Sequence, residues 1–184
     1  MYSKTIYEHV IDWLETIKEF RPDEERGILY PKKEHIISLH DYLIKHCKYK
    51  GEPEAVIAIQ FEAPLDFVGL KCYEEKHDNK WEDIIKQGAI IFDTFLGSGH
   101  PFIDGNKRTG FVTLWLFLTI NNYKVKFEFY NFNKHIDNFR KWASSCSDNF
   151  NEICTWIKEN ETFYQKIKRC TEDIKIKIKK LILR

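Results

Sequence analysis

Cysteines are few in this chain and none are paired by motif. Cys47, Cys72, Cys146, Cys154 and Cys170 are odd in number and include no CxxC pair. That argues against a disulfide framework and against a structural zinc site; reduced thiols packed as small apolar groups are the expectation. Excess charge is missing too. The 29 Lys and Arg against 28 Asp and Glu leave a formal net charge of +1, so bulk electrostatics gives no reason to expect nucleic acid or an anionic membrane as partner. No uninterrupted apolar stretch approaches a membrane span, and the N-terminus lacks a signal-peptide pattern. Cytoplasm is the default expectation. There is no internal repeat, and arginine is scarce, six residues against 23 lysines; that lysine bias carries no functional information of its own.

The 184 residues suit one domain, and 43% hydrophobic with 15% aromatic content is enough for a buried core. Residues 5–20 place Ile6, Val10, Trp13, Leu14, Ile17 and Phe20 at helical spacing. Arg21-Pro22-Asp23 stops that helix, and the charged stretch through Gly27 reads as a connection. A second helix starts near Pro31 with Ile36, Leu39, Leu43 and Ile44 on one face. A short helix around 54–61 precedes an extended or hairpin segment, Ala63 to Leu70.

Residues 81–96 return to helix, with Ile84, Ile85, Ala89, Ile91, Phe92, Phe95 and Leu96 inward and Gly97-Ser98-Gly99 as its end. The next helix, from about Asn106 to Ile120, is apolar nearly all round and belongs at the centre of the molecule. Asn121-Asn122 ends it, and the alternation from Tyr123 to Tyr130 predicts a short strand. Helices follow near 133–145 and 148–159, with Trp142, Phe150, Ile153, Trp156 and Ile157 inward. The tail from Ile174 to Leu183 fits a strand, which could be an edge that pairs with another chain, and fits a helix equally well. The fold class expected is mostly α.

The densest chemistry lies between His100 and Gly110, at the mouth of the central helix. A neutral imidazole can accept the proton of an attacking hydroxyl, and His100 is the candidate base; an isolated histidine would more often cap the preceding helix. Asp104 is the candidate Mg²⁺ ligand, since that ion accepts one or two carboxylates and completes its shell with phosphate oxygens and water. The less favoured alternative is a cap on the helix that follows. Gly105 and Asn106 allow unusual dihedrals that turn backbone N–H groups toward an anion. Lys107 and Arg108 supply a point charge and a bidentate fork for phosphate oxygens. Cations beside a positive helix end are unfavourable unless a strongly anionic ligand binds there. Phe102 is expected to pack inward and fix the loop. His9, His35, His40, His46, His77 and His135 are expected to be structural.

His100, Phe102, Asp104, Gly105, Asn106 and Arg108 match HxFx(D/E)GNxR residue by residue. The run resembles the signature of the Fic/Doc family, the filamentation and death-on-curing proteins. Ser38 to Ile44, Glu62-Ala63-Pro64 with Phe67-Val68-Gly69, Phe117-Leu118 with Asn121-Asn122-Tyr123, and Ile153 to Ile157 look like segments of the death-on-curing branch. The likeness covers about residues 33–160, which predicts an N-terminal helical extension (1–30), a Fic/Doc domain (31–160) and a C-terminal extension (161–184). It implies a helical bundle with a β flap. It also implies His100 as general base, Asp104 as holder of Mg²⁺, and the loop amides with Arg108 as holders of a nucleotide, ATP or another triphosphate.

Family members that transfer AMP read GNGRxxR; here Lys107 replaces the second glycine and Phe111 the second arginine. GNKR without that arginine is similar to the death-on-curing branch, which implies phosphoryl transfer to a Ser or Thr hydroxyl of a target protein, among them components of the translation machinery. Adenylyl transfer is the alternative from the same fold, and a catalytically silent nucleotide- or protein-binding module is an alternative of another class. A metal-dependent hydrolase ranks last for want of further ligands. Thr155 to Asn160 also fits the (S/T)xxxE(G/N) helix of self-inhibiting members, but Phe111 offers the glutamate no partner. Inhibition by a separate antitoxin is the resemblance's implication instead. Oligomerisation stays open.

Overall fold

The computed structural model describes residues 20–23, 27–46, 65, 77–97, 100–127, 132–144 and 149–182. A small antiparallel hairpin comes first, β1 (Arg21–Asp23) and β2 (Ile28–Tyr30), with Arg21 opposite Tyr30 and Asp23 opposite Ile28. Six helices follow: α1 (Lys33–His46), α2 (Lys80–Leu96), α3 (Asn106–Ile120), α4 (Phe132–Ser144), α5 (Phe150–Glu159) and α6 (Phe163–Ile182). The expected helix over 5–20, the short helix near 54–61 and the segment 63–70 lie outside the described residues, apart from Phe20 and Leu65; Leu65 is buried.

The hairpin corrects the reading of Arg21 to Gly27 as a plain connection. Pro22 lacks an N–H and so tolerates the edge of a two-stranded ribbon, while Gly27 turns the chain at φ +60°. Ile28 and Tyr30 alternate inward around Leu29. The hairpin is then fixed to the centre of the molecule. Asn121, at the end of α3, accepts from the Leu29 N–H and donates to the Leu29 carbonyl, both at 2.8 Å.

α3 is the central element, as its composition demands. Its residues Thr109 through Leu118 are all buried, and its largest interface is with α2. The approach is close because Gly110 faces the Phe95 side chain and Gly88 faces Leu114. On its other sides Phe111 meets Phe92, Phe127, Phe139 and Trp156 in one cluster of rings. Aromatic pairs at such spacings add to the burial of their area. All the residues predicted inward on α1 and α2 are buried; of those on α4 and α5, Phe150 is only half-buried.

The tail is helical. Its inner face carries Gln165 and Arg169, one turn apart: Gln165 accepts from the Lys124 N–H after α3, and Arg169 reaches Glu161 and Glu82. Arg169 grips buried Glu161 with two hydrogen bonds, Nε to Oε1 at 2.8 Å and one terminal nitrogen to Oε2 at 3.2 Å, and the Tyr123 hydroxyl donates to the same Oε1. Because the helix runs to Ile182, the edge-strand alternative falls for residues 174–182. The predicted strand at 123–130 also contracts: among its described residues, 123–127, it is an isolated bridge between Val125 and Glu161. Of the cysteines described, Cys154 packs half-buried against the core, but Cys170 is exposed on α6, contrary to the expectation of packed thiols.

Candidate active site

α2 ends at Leu96, with Gly97 closing its last turn through a 2.8 Å bond to the Asp93 carbonyl. Three residues later His100 adopts φ +21°, a backbone region that non-glycine residues seldom occupy and that clusters at functional sites. Its Nε2 donates to the Leu96 carbonyl at 3.1 Å. A carbonyl can only accept, so in this geometry Nε2 carries the hydrogen and the lone pair of the neutral ring sits on Nδ1. His100 thus binds the end of the preceding helix, the alternative the sequence offered, through a bond that leaves Nδ1 as the nitrogen able to accept.

Phe102 is buried and its backbone is bracketed by one side chain. Asn106 Oδ1 accepts from the Phe102 N–H at 3.0 Å, and Asn106 Nδ2 donates to the Phe102 carbonyl at 2.6 Å. Asn106 is therefore a loop-holding residue with ordinary helical backbone, which corrects the expectation of an unusual dihedral at this position. The unusual dihedral belongs to Gly105 alone, at φ +76°. Gly105 is the N-cap of α3 and brings it no side-chain cap, and the helix has no acidic residue in its first turn. The positive end of the α3 dipole thus remains available to an anion.

Asp104 is exposed, and its Oδ1 accepts from the Gly105 N–H at 2.6 Å. It does not cap α3, since that position is occupied by Gly105. Lys107 and Arg108 follow in the first turn of α3, both half-buried. Among the described residues no group of three His, Cys, Asp or Glu stands together. That single-carboxylate donor set suits Mg²⁺, which keeps phosphate oxygens and water as its other ligands, and does not suit zinc.

Residues 30–118 match the Fic/DOC family. The Fic/DOC segment contains α1, α2, the loop and most of α3, which are the elements that hold His100 to Arg108. No curated protein and no solved structure matches the chain. The matched segment is just under half of the chain, and its similarity is to proteins that transfer a phosphoryl or AMP group from a nucleotide to a protein, with a nucleoside triphosphate and Mg²⁺ as their general cofactors. Among the described residues no helix is long and apolar enough to cross a membrane.

Two residues of the Fic/DOC segment acquire importance only in three dimensions. His40, on α1, is buried beneath the loop with its ring stacked on Phe102, centroids 3.6 Å apart and planes 4° from parallel. Its Nδ1 shares a 3.0 Å hydrogen bond with Oγ1 of buried Thr109. Burial pushes the imidazole down to about 4; Arg108 acts in the same sense, while Asp41 and Asp104 oppose it. His40 is accordingly neutral at physiological pH. The signal in the sequence was its spacing, one helical turn from both Ile36 and Ile44 on the apolar face of α1.

Phe111, where AMP-transferring members carry their second arginine, is fully buried in the ring cluster. Thr155 and Glu159 are exposed on α5 and line a groove of about 370 Å³ between α4 and α5, together with Trp142 and Trp156.

Proposed function

We propose that the chain transfers the terminal phosphoryl group of a nucleoside triphosphate, ATP being the expected donor, to a Ser or Thr hydroxyl of a target protein, as death-on-curing toxins do. The observation that carries this reading is the His100–Leu96 hydrogen bond. It orients an imidazole with its lone pair on Nδ1 at the open N-terminus of a helix flanked by Asp104, Lys107 and Arg108. In the reaction, Nδ1 takes the hydroxyl proton as the oxygen bonds to phosphorus, and the nucleoside diphosphate leaves with the electrons of the broken P–O bond. The α3 N-terminus at Gly105 and Asn106, together with Lys107 and Arg108, holds the phosphates in place. Mg²⁺, when bound by Asp104, neutralises charge on the transferring group.

Burial of Phe111 supports phosphoryl over adenylyl transfer. An arginine at that position is one of two clamps in the AMP-transferring pattern, and here the position belongs to an aromatic core that admits no charge. With one clamp fewer, the triphosphate is free to sit with its γ end toward His100. Components of the translation machinery are the proposed targets, and a separate antitoxin protein is the proposed inhibitor. The test is incubation of the chain with lysate, Mg²⁺ and ATP labelled at either the γ or the α position. Transfer of γ label that disappears in His100→Ala supports the reading; transfer of α label alone replaces it with adenylyl transfer. Nucleotide binding without either label would indicate a silent binding module.

A further inference from the structure

We infer that His40 is the positioning residue of the His100–Arg108 loop, and that its imidazole sets the height at which Asp104 and the start of α3 meet the nucleotide. The second half of this statement rests on the function proposed above; the first half stands on packing alone.

His40 meets the loop and the start of α3 at three points. Before the turn, Phe102 lies flat on the His40 ring at 3.6 Å. At the turn, a Cβ built on Gly105 would stand 3.2 Å from His40 Cε1 and 2.7 Å from Ile44 Cδ1, so the left-handed glycine rests directly on the α1 surface. After the turn, Thr109 Oγ1 bonds His40 Nδ1 at 3.0 Å. One ring thus spans both limbs of the loop, while Asn106 closes them against each other from within. The His40 Nε2 is buried and has no hydrogen-bond partner among the described residues. A group serving only to fill space would be cheaper without that orphaned nitrogen. Phenylalanine fits the same stack, so what histidine adds is the bond to Thr109.

The energetic logic is leverage. A displacement of about 1 Å in a group that orients a reacting atom costs up to about a hundredfold in rate. Between the Phe102 and Gly105 contacts, Ile103 and Asp104 are exposed. Removing the His40–Thr109 bond should therefore loosen the loop far more than it destabilises the bundle.

The experiment compares His40→Phe, Thr109→Val, their double variant and Thr109→Ser in the full chain without ligand, by hydrogen exchange. Phe keeps the stack, Val keeps the shape of Thr109, and Ser keeps its hydroxyl. Both single substitutions should accelerate exchange at Phe102, Asp104, Gly105 and Asn106 about fivefold to tenfold, as for loss of one buried hydrogen bond. The amides of α2 should stay unchanged, Thr109→Ser should resemble the wild type, and the double variant should be no worse than either single one. Loop exchange equal to the wild type, strictly additive effects, or uniform acceleration over all helices would each overturn the inference.

A second readout is transfer of label. In both single variants kcat should fall by about tenfold to a hundredfold, with KM for ATP moving less. A wild type that transfers no label refutes the proposed function and leaves the exchange data to decide on His40. Normal wild-type transfer with unaltered kcat in both variants refutes the role of His40 and leaves the proposed function standing.

Discussion

Gly110 of α3 lies so close to Phe95 of α2 that a Cβ built on the glycine would stand 2.5 Å from the Phe95 Cβ. Non-bonded carbons do not approach to that distance, and neither atom is the end of a flexible chain. The two helices can approach to this degree only because residue 110 is glycine. Gly110 is also four residues past Asn106, so the same contact sets where the loop stands relative to the end of α2. Gly110→Ala should force the helices apart and cost about 1–3 kcal/mol, despite alanine's better helix propensity. Urea unfolding gives the number, and a stabilised variant would refute the packing argument.

Arg169 ties the last helix to the body of the molecule through Glu161. The carboxylate is buried and takes bonds from Arg169 and Tyr123, while Arg169 also reaches Glu82 on α2 at 3.4 Å. The guanidinium is held above its usual range mainly by its hydrogen bonds to Glu161. Removing one member of such a group strands the other as a buried charge. Arg169→Met should cost about 3–5 kcal/mol, and the double variant Arg169→Met with Glu161→Gln should recover part of it. Thermal unfolding of the wild type, Arg169→Met, Glu161→Gln and the double variant decides; a double variant as unstable as the sum of the singles would exclude the coupling.

The central helix was legible almost to the residue because its ends are punctuated: a left-handed glycine and an asparagine at one, two asparagines at the other. The hairpin was not, since strands of three residues are too short to show alternation, and Pro22 reads as a stop. Isoleucine spacing in the tail fitted two periods equally; the deciding residues were the polar ones, Gln165 and Arg169, whose inward positions no periodicity of apolar groups reveals. In the loop, the residue types announced phosphate chemistry, but not the division of labour. Asn106 reads as a turn former and proves to be a brace, and His40 reads as one structural histidine among six until the fold brings it under Phe102.

Asn106 braces the loop through two bonds to one residue, Phe102. Asn106→Ala leaves the buried Phe102 N–H without its acceptor and its carbonyl without its donor. The expected loss is about 2–3 kcal/mol, accompanied by weaker Mg²⁺–ATP binding. Lys107→Ala is the contrast, because it should weaken nucleotide binding in a salt-dependent way with stability changed by less than about 0.5 kcal/mol. Calorimetric titration alongside denaturation separates the two; equal effects of both substitutions on stability would contradict the assignment.

The depressed pKa of His40 predicts an acid limit on stability. In the folded chain its pKa is about 4, against 6.5 for an unperturbed imidazole. As pH falls, the unfolded chain takes up this proton first, so the folded state is progressively disfavoured. Stability from this group is complete above about pH 6.5, declines between 6.5 and 4, and levels off below. The full loss approaches about 3 kcal/mol. His35 and His135, also lowered chiefly by burial, act in the same sense. His40→Phe cannot take up that proton, so its stability curve between pH 7 and 4.5 should be flatter than the wild type's, whatever its absolute value. Parallel curves for the two proteins would mean that His40 is not buried in its neutral form.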